Sequence, residues 1–257
     1  MRAVGIEHLA DLENLDELYI GIFSLESFDF LSSLPSSLKS LTLGPTKSKK
    51  PHLKELGRFR SLRKLGLAGQ QNGIAIVADL RGLEQLSLRA ISTPNLDYVS
   101  ILPSLWSLDI LLGGIRNLSA ISGKKSINYL ELCRIRELSD VTVLSSLVGL
   151  QYLDLRELRN VTDIPDLSRL TKLRKLVLDN MKGLKDVSAI GKVPALEGFL
   201  HISAQGFLPE PYWNLLNKPS LQQAHIGFCS QPENERFQAL VRQSGRPTYQ
   251  RTEFVFR

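Results

Sequence analysis

Apolar and polar residues alternate over short stretches, then the apolar spacing widens to three, and this pair of patterns returns along almost the whole chain. In Leu150-Gln151-Tyr152-Leu153-Asp154-Leu155, Leu153 and Leu155 share one face of a predicted strand, while Tyr152, Asp154 and Arg156 share the other. Val161, Ile164, Leu167, Leu170 and Leu173 show the wider spacing, as do Leu138, Val141, Leu144, Leu147 and Leu150. A period near three suits 3₁₀ turns or short helical pieces running back outside the strands. Variants of L-x-x-L-x-L begin at Leu15, Leu38, Leu62, Leu83, Leu105, Ile127, Leu150, Leu173, Leu196 and Leu221, ten copies at intervals of 21 to 25 residues, the last two degraded. Self-similarity at this period predicts a solenoid in which each unit buries its apolar side only against its neighbours.

From about Ile6 to Phe228 these copies resemble the leucine-rich repeat family. The resemblance implies an α/β solenoid shaped as a horseshoe, with a concave parallel β-sheet and short 3₁₀ or α-helical pieces on the convex side. Many family members place Asn three residues after the last strand leucine, where its amide satisfies backbone groups. That slot holds Ile91, Ile135, Leu158 and Met181 here, so an asparagine ladder is absent. Val161-Thr162-Asp163-Ile164 looks more like repeats with an apolar residue or cysteine at the slot.

One elongated domain over residues 1–257 is the simplest division. Residues 1–14 read as an N-terminal cap or a partial repeat of a longer protein, 15–228 as ten repeats, and 229–257 as a cap of one helix and one strand. Pro232 to Gln243 is amphipathic, with Phe237, Leu240 and Val241 on one face, and Tyr249 to Phe256 alternates like a strand. Phe207 to Pro219, with Pro209, Pro211 and Trp213, reads as an insertion making a short extra helix.

The composition, 43% hydrophobic and 23% charged, is ordinary for a folded soluble protein. No run approaches the ~20 apolar residues of a membrane span, and charged positions follow Met1-Arg2-Ala3-Val4 in place of a signal-peptide core. Cys133 and Cys229 are four repeats apart, roughly 20 Å at about 4.8 Å per strand, too far to bridge. Free thiols point to a reducing compartment, and we expect a cytoplasmic location. The sequons at Asn117 and Asn160 then read as accidents of composition.

Signals for catalysis are scarce. Gly123-Lys124-Lys125-Ser126 lacks the upstream glycine of a phosphate-binding loop, and no nucleophile elbow, dinucleotide fingerprint or metal-spaced cysteine and histidine cluster occurs. By register His201 takes a core slot and His225 an outward one, so they should point to opposite faces; Cys133 has no histidine nearby. These positions predict a non-enzymatic protein with no cofactor and no metal.

The outward strand positions run Tyr19, Thr42, Gly66, Ser87, Asp109, Glu131, Asp154, Val177, Leu200 and His225, so three consecutive rungs are acidic. Carboxylates about 5 Å apart repel by roughly 1–3 kcal/mol, an arrangement that folding alone does not favour. Tyr129 and Tyr152 lie beside them, with Ser107, Arg89, Arg156 and Lys175 nearby. Tyrosine supplies large contact area at low entropic cost, so the strip around Asp109, Glu131 and Asp154 predicts a concave surface for a protein partner with a basic patch. The net charge is +6, and basic residues gather in Arg58, Arg60, Arg63 and Lys64, in Lys47, Lys49 and Lys50, and in Lys172, Arg174 and Lys175. Several of these fall in outer or loop segments, and they are not interleaved with aromatics in a groove, which argues against nucleic acid. The expected function is protein binding by a monomer. An inhibitor or immunity-type protein neutralising a toxin or enzyme is favoured over a targeting subunit of an enzyme such as a phosphatase, or a host-targeted effector or receptor fragment.

Overall fold

The computed structural model describes residues 6–12, 14–247 and 253–257. The chain divides into two compact units, Met1–Ile121 and Ser122–Arg257.

In the first unit, β1 (Glu17–Ile20), β2 (Ser40–Leu43), β3 (Lys64–Ala68), β4 (Gln85–Arg89) and β5 (Ser107–Leu111) pair in chain order, all parallel. Tyr19, Thr42, Gly66, Ser87 and Asp109 form one continuous cross-strand row, as the repeat spacing requires. Parallel neighbours need a return path, supplied by 3₁₀ turns at Asp29–Ser33, Lys54–Arg58 and Ile74–Asp79 and a helical turn at Asp97–Ser100. Each return buries an apolar residue under the strands: Leu31, Leu56, Val77 and Val99 are all fully buried.

The second unit repeats the plan with β6 (Tyr129–Cys133), β7 (Tyr152–Arg156), β8 (Lys175–Asp179), β9 (Gly198–Ile202) and β10 (Gln223–Ile226). Leu130, Leu153, Leu176 and Phe199 form a buried row, and Leu132, Leu155, Leu178 and His201 a second one. Between β7 and β8 the return contains no helix, only turns. The insertion forms a 3₁₀ turn at Glu210–Tyr212 running into a helical turn at Trp213–Leu216.

Strands β4 to β9 are each followed directly by a non-glycine residue in the left-handed region: Ala90, Leu112, Arg134, Glu157, Asn180 and Ser203, with φ between 50 and 59°. Left-handed backbone costs an L-residue about 1–2 kcal/mol. It is held in place by the ladder, since the N–H groups of Ala90, Glu157 and Asn180 donate to the carbonyls of Leu111, Asp179 and Ile202 on the next strand. The bend turns the following side chain inward, so Ile91, Ile135, Leu158 and Met181 fill the asparagine slot as buried apolar residues.

Helix Gln231–Gln243 covers the last repeats, with Pro232 in its first turn, where the missing N–H costs nothing. Phe237 packs edge-on to Tyr212 and Phe228. The Arg246 guanidinium then donates to the carbonyls of Leu216, Lys218 and Leu221, groups left open by the insertion. Of the strand expected at Tyr249 to Phe256, residues 249–252 lie outside the described residues, and 253–256 carry no strand assignment.

Candidate functional site

The expected site residues fall in both units. In the first, Asp109 stands half-buried on β5 in register with Ser87, Ser107 is nearly buried, and Arg89 is exposed at the end of β4.

The rest stand on the open face of β6 to β8. Cross-strand register brings Tyr129 beside Tyr152, with ring centroids 5.1 Å apart, and Lys175 next in the row places its Nζ 5.2 Å from the centre of the Tyr152 ring. One step along the strands, Glu131 pairs with Asp154, and the Tyr129 hydroxyl donates to Glu131 Oε2 at 2.9 Å. Asp154 is 1% exposed, because Arg156 folds back over it: Nε donates to Oδ1 at 2.7 Å and Nη2 to Oδ2 at 2.5 Å. Residues two apart share a strand face, and the guanidinium fork matches a carboxylate. Burial raises the Asp154 carboxyl above the usual range, with the Arg156 hydrogen bonds opposing it. Burial also raises Asp179, the cross-strand neighbour of Arg156, and the thiol of Cys133. Glu131 and Asp179 are therefore the half-exposed carboxylates of this face, while that of Asp154 is covered.

Relief of repulsion is thus not what removal of these charges does at Asp154. Arg156→Leu leaves a buried carboxylate without its partner and should cost about 2–3 kcal/mol at neutral pH, below the value for a wholly buried pair because the Arg156 side chain is 42% exposed. The raised Asp154 can take up a proton in the folded state, so the loss relative to the parent should shrink as pH falls towards 4. Urea denaturation of both proteins at pH 7 and pH 4.5 measures it; an equal difference at both would remove Asp154 from the account.

A further group of residues completes the face. Residues 253–257 lie across it, with the Phe254 ring 5.2 Å from Tyr152 and nearly perpendicular, and the Phe256 ring 6.2 Å from Tyr129 and 4.9 Å from Phe254. Gln151, which precedes β7 and is nearly buried, donates from Nε2 to the Arg257 carbonyl at 2.6 Å and accepts the Arg257 N–H at 2.9 Å. Arg174, which precedes β8, donates to the Val255 carbonyl at 2.9 Å, sits 4.9 Å from the centre of the Phe254 ring, and is held by Glu197 at 3.0 Å. The sequence signal was the alternation of Phe254 and Phe256, but the same pattern also fits a strand, and nothing in it says which surface those rings meet.

No family model matches the sequence, and no curated protein matches it. Among solved structures, internalin C2 of Listeria monocytogenes aligns with a TM-score of 0.58 and 23% identity, covering 71% of this chain and 78% of that one. Another internalin of the same organism aligns at 0.59 and 18%, covering 88% and 76%. A leucine-rich repeat protein of Leptospira interrogans aligns at 0.59 and 20%, covering 95% and 68%.

The chain has the leucine-rich repeat fold.

In this repeat frame the arginines of the first basic cluster join neighbouring turns. Arg58 donates to the carbonyls of Leu31 and Leu34 at 2.8 and 2.6 Å, Arg60 to that of Asp79 at 2.7 Å, and Arg63 to that of Gly82 at 3.0 Å. Each satisfies a backbone acceptor on the adjacent leucine-rich repeat. His201 is buried, its Nδ1 2.7 Å from the Tyr212 hydroxyl, whereas His225 is exposed, so the two face opposite sides. Among the described residues no cluster of three or more metal-ligating side chains occurs, and no helix is long and apolar enough to cross a membrane. Cys133 and Cys229 are both free thiols.

Proposed function

We propose that this leucine-rich repeat chain is a non-enzymatic module that binds one protein partner on the open face of β6 to β8. The observation that carries the reading is the row Tyr129, Tyr152 and Lys175 on adjacent strands: half-exposed aromatic and cationic side chains held on a rigid sheet. Tyr129 is fixed further by its hydrogen bond to Glu131. Aromatic anchors with a charged surround match the composition of binding hot spots. Glu131 and Asp179 give the partner's lysines or arginines their counter-charge, with Asp109 the acidic position of the first unit and Ser107 and Arg89 its polar neighbours. Capture of a basic domain by such a face suits an inhibitor or immunity-type protein acting as a monomer. Two free thiols favour work in the reducing cytoplasm.

Affinity capture from the native cell, comparing the parent with Tyr129→Ala/Tyr152→Ala and with Glu131→Gln/Asp179→Asn, tests this. Each tyrosine should contribute about 1 kcal/mol or more, chiefly through faster dissociation, and the charge pair should lower the association rate and its salt dependence. Equal recovery of the same proteins by parent and both variants would place binding elsewhere.

A further inference from the structure

Resting on that reading of the β6 to β8 face, we propose that residues 253–257 are a tethered competitor: they occupy the site in the free protein, and its outside ligand is a peptide segment of the same chemistry, two phenylalanines two residues apart. Phe254 and Phe256 both turn to the tyrosine row, while Val255 between them is 67% exposed, the alternation of a segment reading one surface with every second side chain. The polar contacts of Gln151 and Arg174 go to the segment's backbone, at the Arg257 N–H and carbonyl and the Val255 carbonyl. Backbone hydrogen bonds are available to any peptide, whereas the rings demand aromatic partners, so the site specifies a class of sequence and not this segment alone. Beneath its occupant, Arg174 is held by Glu197, a contact that does not involve the segment.

The segment itself lies lightly. Phe256 remains 38% exposed, and neither a strand nor a helix locks residues 253–257 down. A partly exposed segment outside the strand ladder opens at lower cost than the strands beneath it. A cleft of about 230 Å³ lies between the segment, at Glu253 to Val255 and Arg257, and the strand residues Lys175, Gly198, Gln222 and Gln223. Gly198 takes the row position that Tyr129, Tyr152 and Lys175 fill on other strands, and a Cβ there would meet nothing nearer than 3.8 Å. A partner's longer segment can extend into that gap.

A tethered ligand acts at an effective concentration in the millimolar range, so it lowers the apparent affinity of an outside competitor by the fraction of time the site is closed. The probe is a fluorescein-labelled peptide of residues 253–257, capped at both ends so that no terminal charge contributes, read by fluorescence anisotropy on the full chain. Phe254→Ala/Phe256→Ala should bind it about tenfold or more tightly than the parent, and adding Gln151→Ala and Tyr152→Ala should abolish the gain. Equal peptide affinity for parent and variant, or binding to neither when circular dichroism and thermal melting show both folded, overturns the proposal. So does sedimentation revealing a parent dimer that the variant loses, since the segment would then serve a second copy. Partner capture lost in Tyr129→Ala/Tyr152→Ala with no peptide effect leaves the binding face standing and removes the competitor; a peptide effect with protein capture equal in parent and variants keeps the competitor and removes the protein-capture role.

Discussion

Leu153→Ala and Leu176→Ala should each lower the free energy of unfolding by about 2–5 kcal/mol, the range for truncating a buried leucine. Both are fully buried and face each other across β7 and β8, in a row that continues through Leu130 and Phe199. The stacked backbone of adjacent strands fixes the row's spacing, so the cavity left by either change collapses poorly. Because the two sites touch, the double variant should depart from the sum of the singles by more than about 0.5 kcal/mol. Urea unfolding followed by circular dichroism measures all three. A loss below about half a kcal/mol for either single change would show that the residue does not hold the core slot described.

The second large effect is a dependence on pH. Burial lowers the pKa of His201 to about 4 from an ordinary value of 6.5, and its Nδ1 meets the Tyr212 hydroxyl within the aromatic group of Phe199, Phe207 and Tyr212. The unfolded chain takes up a proton near pH 6.5 and the folded chain resists until about pH 4. Stability from this residue is therefore complete above pH 6.5 and lost as pH falls through that window, by up to about 3 kcal/mol. Between pH 7.5 and pH 5 the parent should lose about 2 kcal/mol that His201→Leu does not. That variant is weaker at neutral pH because Tyr212 loses its partner, so the diagnostic quantity is the slope and not the absolute value. The raised carboxyls of Asp154 and Asp179 contribute with the opposite sign in both proteins and cancel in the comparison. Identical slopes would mean that His201 takes up its proton equally in the folded and the unfolded state.

The repeat spacing by itself determined the leucine-rich repeat fold, the in-register rows and the inward leucines, because each unit's apolar face has only its neighbour to meet and a strand alternates its faces with a period of two. It also separated His201 from His225, since register alone assigns the face. Only the tertiary structure decided what the outward residues do with one another. Glu131 and Asp154 read alike on the strand pattern, yet Asp154 is covered because Arg156 reaches back over it, and the charge exposed on this face moves to Asp179. That Arg58, Arg60 and Arg63 bind carbonyls one repeat away was likewise decided in space. The meeting of Phe254 with Tyr152 joins residues 102 positions apart, and Gln151 with Arg257 106 apart. Periodicity reports which face a side chain takes, but contacts over such separations depend on where the chain returns in space, which no local pattern encodes.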